Sequence, residues 1–296
     1  MRKKLPVIID TDPGTDDALA LAAASVFLKD RLKIFVSSYG NVNGEKTFKN
    51  LCGLVKALKL KGEVLKGSMA RLDGKEPEYT EFHGKDGICG VTLPQHEENA
   101  ACAFPDRLFE ALKNIGPAVY LAFGPLTNLA RLLKEHPEAS GMISKVIIMG
   151  GGFSVCNSPG GAEYNFAADP EAVEAVLQSQ TDKILVPLDV THQTVFSKAD
   201  IDEITASKDT YDLLKEILFQ NFNSGMKFGE NGAIIHDAVT VAYLADKNQF
   251  VTETKKITVD SNGALSLSES GFEIRVVKRI NPGFLKDFFM DVFCQL

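Results

Sequence analysis

No stretch of this chain is apolar for long enough to span a bilayer. The longest nearly apolar run, residues 18–28, includes a serine and stops at Lys29-Asp30, against the roughly 20 residues a helical span needs. A secretory leader is missing from the pattern too: the basic start Met1-Arg2-Lys3-Lys4 is followed by the short apolar Val7-Ile8-Ile9 and then by aspartates, with no room for an apolar signal core. Cysteine is scarce. The five present, Cys52, Cys89, Cys102, Cys156 and Cys294, are odd in number and form no CxxC pair, which suits free thiols in a reducing compartment; the chain reads as cytoplasmic. Basic charge is also short, with 32 Lys and Arg against 39 Asp and Glu and a net charge of -7. A nucleic-acid partner needs a clustered basic face, and none is visible. What is present is an ordinary globular composition, 45% hydrophobic and 24% charged over 296 residues, enough to bury a large core.

No linker rich in Pro, Gly or Ser, no repeat and no low-complexity tract divides the chain. Short apolar runs alternate with helical stretches up to about position 190, the pattern of an α/β fold with a mostly parallel sheet flanked by helices. Strands are expected at 7–9, 34–38, 64–65, 119–123, 146–149 and 184–188. Most are continuously apolar, hence buried on both faces. Helices are expected at 16–28, apolar nearly all round and so in the core, and at 46–60, amphipathic. Asp169-Pro170-Glu171 combines an N-cap acid, a proline at the first helical position and an acidic first turn, which predicts a helix start. Beyond residue 191 the chain turns mainly helical, with late strands at 257–260 and 273–277 around Ser261-Asn262-Gly263 and a final amphipathic helix at 284–293. Two long loops, 67–99 and 150–169, mark functional segments by their length.

Unusual polar residues follow the carboxyl ends of these strands, which is where open parallel sheets bind ligands; plain turn punctuation is the bland alternative. The densest cluster, Asp10-Thr11-Asp12-Pro13-Gly14-Thr15-Asp16-Asp17-Ala18, places four carboxylates in eight residues. So many anions repel unless a cation or a helix N-terminus compensates. Oxygen-only donors suit calcium or magnesium rather than zinc. The loop is no EF-hand, lacking Gly at its sixth position and Glu at its twelfth. A further carboxylate is offered by Asp237 in Ile234-Ile235-His236-Asp237-Ala238, where a simple N-cap beside a surface histidine is the competing reading. Met149-Gly150-Gly151-Gly152 lacks the third fingerprint glycine of a dinucleotide site, and no Walker A sequence occurs.

Taken in order, these motifs resemble the inosine-uridine preferring nucleoside hydrolases. Asp10 to Ala18 matches that family's aspartate motif. Ser38-Tyr39-Gly40-Asn41-Val42, Ala122-Phe123-Gly124-Pro125-Leu126-Thr127-Asn128, Met149-Gly150-Gly151, Ala162-Glu163-Tyr164-Asn165 and His236-Asp237 follow in the family order, over roughly residues 5–250. Tyr164, usually Phe in the family, and Phe123, usually Thr, Val or Ile, are departures. The resemblance implies a single domain over 1–296 with a Rossmann-like nucleoside hydrolase fold, a homodimer or homotetramer, and calcium-dependent hydrolysis of ribonucleosides to ribose and base. It implies calcium ligands at Asp12, Asp17, Asp237 and the main-chain oxygen of Phe123, with Asp10 behind them. It implies a ribose shell of Asp16, Asn41, Asn157, Glu163, Asn165 and Asp237, with Asn157 and Glu163 towards the 5' end.

The residue types suit that chemistry. Breaking an N-glycosidic bond builds positive charge on the sugar and negative charge on the base, so an anionic sugar pocket favours the transition state. Asp12 is the expected general base for water, His236 the expected acid for the leaving base, and His83 a second candidate beside the base. A phosphate would instead want Arg or Lys, and none lies in these motifs. His192 matches the family too and reads as structural, His96 and His136 as surface, and Cys156 as a packed thiol rather than a nucleophile. The base pocket is expected from residues 76–90 and 219–235. Two rivals are a metal-dependent phosphohydrolase, opposed by the missing basic clamp, and a non-catalytic nucleoside-binding protein, opposed by the full set of catalytic residue types.

Overall fold

The apolar runs that carry no polar face become the middle of one nine-stranded sheet. In a computed structural model describing residues 4–95, 104–206 and 211–296, the strands are β1 Val7–Thr11, β2 Leu32–Ser37, β3 Glu63–Lys66, β4 Ala118–Ala122, β5 Ile143–Met149, β6 Lys183–Val186, β7 Phe250–Val259, β8 Leu265–Leu267 and β9 Phe272–Ile280. Their order is β3-β2-β1-β4-β5-β6-β9-β7-β8. From β3 to β9 the pairing is parallel, while β7 runs antiparallel to β9 and β8 to β7. The helices are α1 Thr15–Phe27, α2 Gly44–Ala57, α3 Asp106–Ile115, α4 Thr127–Glu135, α5 Tyr164–Ala168, α6 Pro170–Gln178, α7 Leu188–Thr191, α8 Lys198–Ile204, α9 Asp212–Lys227, α10 Ala238–Ala245 and α11 Phe284–Gln295. None of the described helices is long and apolar enough to cross a membrane.

Two apolar layers sandwich the sheet. Because side chains alternate along a strand, Val7 and Ile9 of β1 join the layer under α1, α9, α10 and α11, while Ile8 joins the opposite one with α3, α4 and α6. Helix α1 is buried from Thr15 through Ala24, as an all-round apolar helix must be. Asp169 caps α6 by accepting from Ala172 N at 3.2 Å, and Pro170 opens that helix, so this start signal reads correctly.

Two sequence expectations need correction. Strand β7 begins at Phe250, seven residues before the expected 257, and β8 was missed. Residues 150–169 are not one continuous loop, since α5 starts at Tyr164, where the Glu163 carboxylate accepts from Asn165 N and Phe166 N. The 67–99 segment has no helix or strand in its described part, 67–95. His96 and Cys102 lie outside the described residues.

The topology fixes where a ligand can sit. Strand β1 is flanked by β2 on one side and β4 on the other, so the chain reverses direction of sheet growth there. At such a switch point the loops leaving the carboxyl ends separate and leave a crevice.

Candidate active site

The carboxyl ends of β1, β2, β4 and β5 deliver Asp12, Asn41, Phe123 and Met149 to one cavity of about 420 Å³. Asp16, Asp17, His83, Asn157, Glu163, Asn165, His236 and Asp237 line it as well. Every residue placed in the site from sequence is therefore brought to one place. No Lys or Arg lines the cavity among the described residues.

Asp16, Asp17 and Asp237 bring carboxylate oxygens within 4.8 Å of one another, and all three are buried. At that spacing, with an effective dielectric constant near 20, each ionised pair repels by about 3.5 kcal/mol or more. Burial raises the pKa of Asp17, and the Asp16 charge adds to the rise. Asp237 is pushed well above the usual carboxylate range by burial and then by Asp16, Asp17 and Asp12. Asp12 rises through burial and the Asp17 charge, Asp16 through burial. Asp16 Oδ1 is buried with no hydrogen-bond partner. Such a group calls for protons or a cation, and a bound divalent ion reverses the sign of the local field.

Local bonds hold the carboxylates in place. Asp17, in the first turn of α1, accepts from Gly14 N at 2.9 Å and from Thr11 Oγ1. Asn41 joins two acids: its main-chain N–H donates to Asp12 Oδ2 at 2.8 Å and its Nδ2 to Asp17 Oδ2 at 3.2 Å. Asp12 itself lies outside the 4.8 Å group, wedged where a Cβ on Gly40 or Gly124 would collide with its carboxylate. Asp16 therefore joins the candidate cation ligands beside the expected set. Asp237 sits at the N-cap position of α10, but its side chain makes no cap hydrogen bond, so the simple N-cap reading fails. Phe123 O accepts from Asn165 Nδ2 at 2.6 Å, which leaves a second lone pair. Asp10 stands behind the site. It is held by Tyr120 Oη and Asn128 Nδ2 at 2.7 Å each, and burial raises it to about 7.

The residues expected around the sugar carry structural duties too. Glu163 accepts from Asn165 N and Gly151 N at 2.8 Å and from Phe166 N at 3.1 Å; burial lifts it to about 7. Asn157 is exposed and accepts from Tyr164 N at 2.8 Å, leaving its amide N–H groups for a ligand. The Tyr164 hydroxyl, absent when this position is Phe, donates to Gly40 O at 2.6 Å and ties α5 to the β2 end.

The histidines separate by partner. His83 Nδ1 accepts from Thr15 N at 3.1 Å, so Nε2 carries the hydrogen and faces Asp16 Oδ1 at 3.5 Å; burial lowers the ring to about 4. His236 Nδ1 meets Thr191 Oγ1 at 2.7 Å, leaving Nε2 for the cavity, and burial with the charge of His192 lowers it to about 3. His192, read from sequence as structural, lines the cavity. Cys156 is exposed at the rim rather than packed. His136 is partly buried, stacked on Phe109 and paired with Asp106.

The family profile of the inosine-uridine preferring nucleoside hydrolases matches residues 7–286. The chain belongs to that family. It is a nucleoside hydrolase, an N-glycosidase acting on ribonucleosides. It is 34% identical to a pyrimidine-specific ribonucleoside hydrolase of Salmonella typhimurium and 32% identical to one of an Enterobacter species, in each case over 88% of this chain and 85% of the relative. Among solved structures it resembles a plant nucleoside hydrolase (TM-score 0.89, 24% identity, 98% of this chain and 99% of that one). It also resembles a purine-preferring ribonucleoside hydrolase from Gardnerella vaginalis (TM-score 0.87, 24% identity, 98% of each). At that identity the structural likeness speaks for the fold.

Within this nucleoside hydrolase the two segments expected to form the base pocket, 76–90 and 219–235, both reach the cavity. Phe82 comes from the 76–90 segment, and Gly225, Phe228, Glu230 and Ile234 from 219–235. His192 joins them from the end of α7. No local pattern marks these residues, because each meets the others only through the fold.

Proposed function

We propose that the chain hydrolyses the N-glycosidic bond of purine or pyrimidine ribonucleosides to ribose and free base, with a calcium ion held by Asp12, Asp17, Asp237 and the main-chain oxygen of Phe123. The observation that carries this reading is the buried carboxylate group Asp16, Asp17 and Asp237 at the carboxyl ends of the parallel strands, in a cavity lined by no Lys or Arg among the described residues. The donors fit a hard cation, since all are oxygens, and the unpartnered Asp16 Oδ1 beside Asp17 and Asp237 adds uncompensated negative charge at the same place. When bound, the ion supplies Lewis acidity towards water and the ribose hydroxyls.

The chain's own residues do the rest. Asp12 takes the proton of the attacking water. Asp16 and Asp237 hold the lower ribose hydroxyls, and Asn41, Asn165, Asn157 and Glu163 complete the sugar shell, the last two at the 5' end. The anionic pocket favours oxocarbenium-like charge on the sugar. His236 presents Nε2 to the departing base. His83 supports Asp16, to which its Nε2–H points, and contributes less to the base. The enzyme works as a cytoplasmic homo-oligomer.

The test is release of reducing sugar from inosine and uridine by purified protein. Chelation is expected to abolish it and calcium to restore it. Asp12→Asn is expected to lose several orders of magnitude in kcat, because one change weakens the cation site and removes the base. Full activity of protein shown to hold no metal sinks the mechanism. The curated relatives are named for pyrimidine nucleosides, which makes uridine the first substrate to try.

A further inference from the structure

The carboxylate chemistry leaves one fully buried polar side chain in the core behind the site unused. Asn221 of α9 has no exposure and does not line the cavity. Its Nδ2 donates to Thr15 Oγ1 at 3.0 Å, while its Oδ1 is buried without a hydrogen-bond partner. An unpaired buried carbonyl costs stability, so an apolar side chain of the same branching would serve the core better. What Asn221 offers instead is its effect on Thr15.

From Thr15 the bonds lead into the site. Thr15 N donates to His83 Nδ1 at 3.1 Å, and the Thr15 hydroxyl lies 3.0 Å from the same nitrogen. A hydroxyl that accepts from Asn221 keeps its own hydrogen for an acceptor, and His83 Nδ1 is the acceptor within reach. Both groups of Thr15 then donate to Nδ1. The ring hydrogen is left on Nε2, which stands 3.5 Å from Asp16 Oδ1, an oxygen with no hydrogen bond of its own. In the other tautomer a nitrogen lone pair would face that oxygen. Asn221, Thr15, His83 and Asp16 are all buried, so each link acts at low local dielectric. Helix α9 holds the His83 segment at a second point: Ser224 Oγ, one turn after Asn221, lies 3.4 Å from Cys89 Sγ, and Cys89 N donates to His83 O at 2.9 Å.

We propose that Asn221 is a positioning residue for the hydrolysis: through Thr15 it holds His83 in the tautomer that presents Nε2–H to Asp16, and so fixes the Asp16 carboxylate for the ribose hydroxyl it binds. The inference rests on the role given to Asp16 above. Asn221 itself touches neither sugar nor cation.

Asn221→Leu keeps the branching and removes both the amide donor and the unpaired oxygen. In metal-free protein carrying isotope-labelled histidine, the His83 ring-nitrogen resonances, assigned by their loss in His83→Gln, are expected to show a bare Nδ1 and a protonated Nε2 in wild type. In Asn221→Leu they are expected to move towards the average of the two tautomers. On uridine, kcat/KM of Asn221→Leu is expected to fall about tenfold, the scale on which outer supporting bonds act, while Tm stays at or above the wild-type value. Thr15→Val and Thr15→Ser give the same test without touching α9. The first, lacking the hydroxyl, is expected to reproduce both losses, and the second, keeping it, to hold the wild-type tautomer with kcat/KM within about threefold. The proposal is overturned if the wild-type ring carries its hydrogen on Nδ1, if Asn221→Leu and Thr15→Val leave the resonances or the uridine kcat/KM unchanged, or if Thr15→Ser loses as much as Thr15→Val. Wild type that shows the expected tautomer but releases ribose from neither uridine nor inosine refutes the hydrolase reading instead.

Discussion

At the scale of single residues, the site depends on atoms that are missing as much as on those present. Asp12 occupies its position because Gly40 and Gly124 have no Cβ, and Asn41 N then fixes its Oδ2 at 2.8 Å. Alanine at 124 keeps an allowed backbone and changes only the space beside the carboxylate. Gly124→Ala is thus expected to lower kcat/KM on uridine by about 10²-fold, as a misplacement near 1 Å does, while overpacking costs about 1–3 kcal/mol of stability. Activity assays beside thermal unfolding check this; wild-type kcat/KM would show that the position of Asp12 is not critical. Asp10, Asp12, Asp16 and Asp17 were legible in the sequence because they are covalent neighbours after a buried strand. Asp237, more than 200 residues later, was open to reading as a further carboxylate, but only the family resemblance separated that from a simple N-cap. The coupling role of Asn41, the Tyr164 tie and the turn of His83 towards Asp16 have no local pattern, since each is a contact between loops brought together by the sheet.

At the scale of elements, continuous burial made β1, β4, β6 and most of β2 and β5 readable, whereas β7 hid its length. Val251, Thr252, Glu253, Thr254 and Lys256 are exposed, so this stretch has neither an apolar run nor a clean alternation; its strand character comes from pairing with β9. Beyond the sheet, α8 and α11 are tied through one ion-pair cluster. Asp200 accepts from Ser197 N at 2.9 Å, which closes the start of α8, and from Lys286 of α11 at 2.7 Å. The Lys286 bond and then the Ser197 bonds hold the Asp200 carboxyl down at about 2. A carboxyl depressed on folding stabilises the folded state above its unfolded pKa near 4 and loses that contribution as pH falls towards 2. With solvent screening at this exposed site the effect is on the order of 1 kcal/mol. Asp200→Asn is expected to lower the urea midpoint at pH 7, with the gap narrowing to about half near pH 3. A gap independent of pH would assign the loss to helix capping rather than charge.

At the scale of the whole molecule, net charge and the cavity work in the same direction. A chain of net charge -7 gathers six buried acids around one crevice: Asp10, Asp12, Asp16, Asp17, Glu163 and Asp237. Burial is the first cause of a raised pKa in each, to about 7 for Asp10 and Glu163. Groups raised on folding favour the folded state below their unfolded pKa near 4, and that advantage disappears as pH rises through their folded values. Metal-free protein is therefore expected to lose stability between about pH 5 and pH 8 on this account. A divalent cation binds the ionised carboxylates and competes with protons, so its stabilisation grows over the same interval. With calcium at about a hundred times its Kd the gain is near 2.7 kcal/mol, on the order of 5 °C in Tm for a chain of this size. The Tm difference between calcium-saturated and chelated protein is expected to reach that size near pH 8 and to shrink towards pH 5. Equal differences at both pH values, measured at fixed calcium, would mean that the ion binds away from the raised carboxylates, because no proton competition would then oppose it.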